Sequence, residues 1–187
     1  MKLELLDAIL TTIKAAGDCI PGRTAIQKLV YFESLFGLVD VKYKPHYYGP
    51  YSSEVSSTIH ELTYLDFVKE DVETRETTGF TVSEDWKRYC YTISRDGNEI
   101  TEHIKKEHTD EYNKIVNLVK ICKKTANLDV NILSWAAKVN YILSEQGKPM
   151  TPEEITLTAE SFGWKLDQSQ IDTAVELLKQ LNLCQAE

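Results

Sequence analysis

Glu102, His103, Glu107 and His108 are the residues whose types come closest to a metal site or an acid–base pair. Imidazole ligands on one helix must stand three or four residues apart to share a face. The two histidines stand five apart, roughly 500° of helical rotation, so they diverge. The four read as a solvated, charged helix surface. His46 and His60 have no partner by spacing, and no GxSxG, HExxH, P-loop or GxGxxG pattern occurs. The expectation is a protein that is not an enzyme, with no catalytic residues, no metal and no cofactor.

The chemistry that remains is recognition. Tyr43, His46, Tyr47, Tyr48 and Tyr51 crowd one extended, aromatic segment running from Val39 to Tyr51. Tyrosines of this kind can stack on bases or anchor a protein interface, or alternate members can pack inward while the rest stand half exposed. Gly49-Pro50 is a turn signal, after which Ser52 or Ser53 is expected to cap a helix. That helix buries Val55, Ile59 and Leu62 and turns Glu54, Ser57, Thr58 and Glu61 outward. From Ser52 to Asp66 there is no Lys or Arg, whereas a helix reading the major groove needs Arg, Lys, Asn or Gln. The predicted partner-binding set is therefore Tyr47, Tyr48, Tyr51, Glu54, Ser57, Thr58 and Glu61. The alternative is a nucleic-acid surface built from Arg23, Lys28, Lys42 and Lys44 with Lys87 and Arg88. Lys114, Lys120, Lys123 and Lys124 read more simply as lysines complementing a helix end.

The whole chain agrees with that choice. Its 187 residues carry 29 acids against 21 bases, a net charge of −8, which removes the general attraction to phosphate without excluding a local basic patch. With 42% apolar residues it is an ordinary globular sequence. No apolar run reaches the roughly 18 residues of a membrane span, and the start has acids where a signal peptide has an apolar core. A cytoplasmic protein is expected, with Cys19, Cys90, Cys122 and Cys184 as scattered free thiols.

Periodicity supplies the elements that must hold these residues. Leu3, Leu6, Leu10 and Ile13 make a first amphipathic helix ending near Gly17. A second, apolar on most sides through Ile26, Leu29, Val30, Phe32 and Phe36, runs from about Arg23 to a cap at Gly37. The helix after Tyr51 is the third. Short strands follow at Phe67-Val68, at Phe80-Thr81-Val82 and, past a Ser83-Glu84-Asp85 turn, at Tyr89–Ile93. Three helices and a hairpin are the order of a winged helix-turn-helix, and Tyr91 to Gly97 reads as the closing wing strand and the turn after it. One long helix from Ile100 to Cys122 would span about 35 Å. Beyond Leu128 lies an apolar helix, then two more signed by Thr151-Pro152-Glu153-Glu154 and by Asp167 to Gln170.

The run Gly22 to Phe32, read with Tyr47-Tyr48-Gly49-Pro50-Tyr51-Ser52-Ser53-Glu54-Val55, resembles the YwgA-like family of bacterial and archaeal proteins. More remotely it is similar to the Panacea domain of SocA-type antitoxins. Those families join a GR-x-x-LQKLVY helix to a YGPYS helix start; here Ile26 replaces the usual Leu. The resemblance covers about Gly22 to Glu70, and its Panacea part implies a protein-binding, toxin-neutralising module. The full expectation is a mainly α (α+β) protein: a winged helix-turn-helix-like domain with a small β-wing over 1–96, a long connecting helix over 97–127 and a C-terminal three-helix unit over 128–187. It binds a partner protein, antitoxin-like or regulatory, or alternatively it is a DNA-binding transcriptional regulator, with a homodimer as an option in either case.

Overall fold

The structure is a computed structural model that describes residues 2–17, 19–75 and 86–183, with the backbone alone for 73–75 and 86–88. It is mainly helical, with a small antiparallel sheet. Helix α1 (Leu5–Ala16) buries Ala8, Ile9, Leu10 and Ile13 together with two threonines. Those hydroxyls tolerate burial because each donates to a carbonyl one turn back, Thr11 to Asp7 O and Thr12 to Ala8 O, both at 2.8 Å. Strand β1 (Ile20–Pro21) leads into α2 (Gly22–Leu35), which is buried continuously from Ala25 to Glu33. As its apolar circumference predicts, α2 is the central helix, and α1, α3, α5 and α6 all pack on it.

The extended segment folds into a hairpin of β2 (Lys44–His46) and β3 (Gly49–Tyr51). The turn falls on Tyr47 and Tyr48, not on Gly49-Pro50 as the dipeptide suggests. Gly49 lies in the strand, at φ 96°, where an added Cβ would sit 3.0 Å from Lys138 Cγ. Helix α3 (Ser53–Tyr64) buries Val55, Ile59 and Leu62 as expected. Its cap is not a side chain: Ser52 Oγ is buried and unbonded, while its backbone N–H and C=O are both taken by Gln27.

Strands β4 (Val68–Arg75) and β5 (Trp86–Ile93) pair antiparallel, and β1 adds to β5 to give the order β1-β5-β4. Strand β4 extends well past the predicted Phe67-Val68; the expected strand at Phe80-Thr81-Val82 and the Ser83-Glu84-Asp85 turn lie outside the described residues. Gly97 is not in a turn. Ser94 caps a helix there, accepting from Gly97 N at 3.0 Å.

The long connecting helix is two helices, α4 (Arg95–Glu107) and α5 (Thr109–Ala126), broken at His108 with φ −129° and ψ 48°. Periodicity runs through the break, which hides it. The local signal was Thr109-Asp110-Glu111, an acidic first turn that favours a fresh N-terminus. Thr109 Oγ1 also donates back to Lys105 O at 2.8 Å, a bond that bends helices. The bend lets both pieces lie on α1.

Helices α6 (Val130–Gln146), α7 (Pro152–Ser161) and α8 (Gln168–Gln180) complete the chain. Both predicted capping boxes form, Thr151 with Glu154 and Asp167 with Gln170. Helix α6 packs on α2, β3, α7 and α8, so the buried residues of all three expected segments join one core. No helix among the described residues is long and apolar enough to cross a membrane.

Candidate protein-docking face

Two adjacent side chains of α2 hold the hairpin and the start of α3. The Gln27 amide donates from Nε2 to Ser52 O at 2.8 Å and accepts from Ser52 N at 3.1 Å, closing both backbone groups of one residue. Lys28, 1% exposed, donates from Nζ to Pro50 O at 2.6 Å. Burial, with Lys138 nearby, lowers its amine to about 7. The spacing of Gln-Lys on one helix and Tyr-Gly-Pro-Tyr-Ser after it is thus the spacing of a clamp between them.

A third brace comes from far along the chain. Trp164, buried between α7 and α8, donates from Nε1 to His46 O at 2.6 Å, stacks on Phe162 at 4.9 Å and lies under Lys138 Nζ at 5.7 Å. Nothing in the Trp164 segment predicts this contact, because a lone tryptophan after Phe162-Gly163 reads as ordinary core. Trp164→Phe keeps an aromatic ring but removes the donor and part of the buried indole. It is expected to cost about 2–3 kcal/mol, from the cavity and the lost bond together, and to speed amide hydrogen exchange at 44–49 while leaving α3 unchanged; equal exchange in both proteins would show that the brace does not hold the hairpin.

What the clamp leaves outside is the tip. Tyr47 is 73% and Tyr48 51% exposed, their rings edge to face at 4.8 Å. Tyr51 is half-buried against His46 at 5.1 Å. Below them a half-open cavity of about 140 Å³ separates the tip from α2 and α3. Along α3, Glu54, Ser57 and Glu61 are exposed, whereas the hydroxyl of the half-buried Thr58 is spent on Glu54 O at 2.9 Å. The face continues onto Tyr64 and Leu65, 81% and 46% exposed. Those two were missed because the helical pattern ends with Leu62.

The described side chains of the alternative basic set differ in how they are engaged. Lys28 is withdrawn into the core. Arg23 is engaged, donating from Nε to Tyr91 OH at 2.7 Å and from Nη2 to Glu70 Oε2 at 2.9 Å, and Tyr91 OH also bonds Glu70. The Glu70 carboxylate, then the Tyr91 hydroxyl, hold its guanidinium charged well above the usual arginine range. Lys42 and Lys44 are exposed; Lys87 and Arg88 lie on β5, their side chains outside the described residues. Lys123 and Lys124 lie in the last turn of α5 as expected, and Lys123 Nζ also donates to Ala16 O at the end of α1, at 2.8 Å. Glu102, His103 and Glu107 are exposed on α4, His108 sits in the break, and among the described residues no three His, Cys, Asp or Glu gather as a metal site.

No family model matches the chain. It is similar to the uncharacterised protein YwgA of Bacillus subtilis (strain 168). The two are 32% identical over 90 residues, 47% of this chain and 48% of that protein. The chain therefore spans about half the length of the curated relative it matches. This is in line with the YwgA-like resemblance drawn from the two motifs, whose residues form the two halves of the clamp.

Proposed function

We propose that this protein is a non-enzymatic interaction module that docks a partner protein on the tip of the β2–β3 hairpin and the acidic outer face of α3. The observation that carries this reading is the pair Tyr47 and Tyr48, exposed side by side on a turn braced by Lys28, Gln27 and Trp164. Two amphipathic rings on a stiff base give up little entropy on binding and suit an interface anchor. The flanking Glu54 and Glu61 favour a basic partner surface. The remote likeness to Panacea domains supports a toxin or a regulator as that partner.

A second reading rests on connectivity. The order α1-β1-α2-β2-β3-α3-β4-β5, with sheet order β1-β5-β4, supports a winged helix-turn-helix in which the β2–β3 hairpin is inserted between the second and third helices, and in that fold α3 would be the recognition helix of a transcriptional regulator. Glu54 and Glu61 on a helix without Lys or Arg, with Asp66 just beyond its end, oppose phosphate there. A regulator using the wing would lose DNA affinity steeply with salt; the docking reading expects no measurable DNA binding at 50 mM salt.

The direct test is alanine at Tyr47 and Tyr48 together. Hot-spot truncations cost about 2 kcal/mol or more, so partner affinity should fall at least about tenfold while melting stays within about 1 °C. Unchanged affinity in a folded variant would sink the reading.

A further inference from the structure

Cys19 and Cys90 are not scattered thiols. The fold brings them together across 71 residues with a Cα separation of 5.4 Å, and they are joined as a disulfide, a spacing inside the range that a disulfide spans. Both are half-buried, so small reagents reach them. Cys122 contrasts: it is fully enclosed, and burial, then Glu33, push its thiol up to about 12, which makes it inert.

We propose that Cys19 and Cys90 are a reversible thiol–disulfide pair, closed by a peroxide, that fastens β1 to β5. The position favours a clamp. Strand β1 is two residues long, sits at the sheet edge and pairs on one side only, Ile20 with Tyr91 and Pro21 with Cys90. The bond fastens it at its entry. Each cysteine also adjoins the Arg23–Tyr91–Glu70 group, Cys90 directly before Tyr91 and Cys19 four residues before Arg23. Reversibility follows from the core: Ile20 and Tyr91 are fully buried and continuous with it, and a chain of this size needs no covalent staple. The pair adds to a fold already complete.

The chemistry balances. One thiolate attacks a peroxide oxygen, breaking the O–O bond to give a sulfenic acid and hydroxide, which leaves as water. The second thiolate attacks that sulfur, forms the S–S bond and expels the remaining oxygen, also as water. Two thiols lose two electrons and the peroxide takes them.

The proposal is independent of the docking reading, and its test uses no partner. Reduced wild type, Cys19→Ser and Cys90→Ser are treated with hydrogen peroxide while folded, free thiols are blocked, and peptides are mapped beside a melting curve. In wild type a Cys19–Cys90 peptide should accumulate and vanish again with dithiothreitol on the folded protein. The oxidised form should melt at least about 5 °C higher, because closing so long a loop constrains the unfolded chain. Neither variant should show the shift. Retention of both thiols, linkage to Cys122 or Cys184 instead, reduction only after unfolding, or coincident melting of the two forms would each overturn the proposal.

Discussion

Gly97→Ala should lower the melting temperature by roughly 6–12 °C, through overpacking that costs about 3 kcal/mol in a chain of this length. Glycine is present there for space and not for a special φ. An added Cβ would lie 2.2 Å from Phe67 O and 2.9 Å from Ile93 Cδ1. The first of these is backbone and cannot swing aside. Phe67 O already accepts from Ser94 N at 3.0 Å, so making room would pull α4 off the start of β4 and strain the Ser94 cap. A thermal melt of the variant checks this; a loss under about 1 °C would mean that α4 is not seated as described.

Two buried ionisable groups on α2 give the second large effect, a pH dependence whose slopes run in opposite directions. Glu33 is fully buried. Thr12 Oγ1 lies 2.8 Å from Ala8 O and 2.5 Å from Glu33 Oε1. One hydroxyl proton cannot serve both, so Thr12 donates to Ala8 O and a protonated Glu33 donates to Thr12. Burial raises the Glu33 carboxyl from 4.5 to about 8. The folded state therefore holds a proton that the unfolded chain has released, and this contribution to stability is lost as pH rises from about 4.5 through 8. Lys28 runs the other way: lowered from 10.5 to about 7, it favours folding above 10.5, and that contribution is lost as pH falls through 7. Each window is worth a few kcal/mol. Glu33→Gln, whose amide can still donate to Thr12, should flatten the slope between about pH 5 and 8 and stabilise the protein at pH 8. Lys28→Met should flatten the slope between about pH 7 and 10. Denaturant melts across pH would show it, and wild-type slopes retained in both variants would contradict these assignments.

The helices were legible because burial imposes a period. Leu10 and Ile13, Val55, Ile59 and Leu62, and the capped starts at Thr151 and Asp167 all lie where spacing put them. What sequence did not show depends on approach in space. The break at His108 keeps the apolar period on both sides and so leaves no gap in the pattern. Lys28 reads as a surface cation, yet one carbonyl and a complete enclosure make it core. Cys19 and Cys90 are meaningless as a pair until β1 lies on β5. At the proposed docking face, the outward positions of Glu54, Ser57 and Glu61 were readable from helical period, whereas Tyr47 and Tyr48 stand outward together because the hairpin turn falls on them, which alternation does not predict. The brace from Trp164, 118 residues away, was not.

The account stands on the hairpin tip as the docking surface. Its most direct test is a tagged capture from the native host, run with and without nuclease, using wild type beside the Tyr47→Ala, Tyr48→Ala double variant. The account expects a stoichiometric protein that survives nuclease with wild type and is lost from the variant. Recovery of that protein by both baits, or enrichment of a defined DNA sequence that nuclease abolishes, would contradict it.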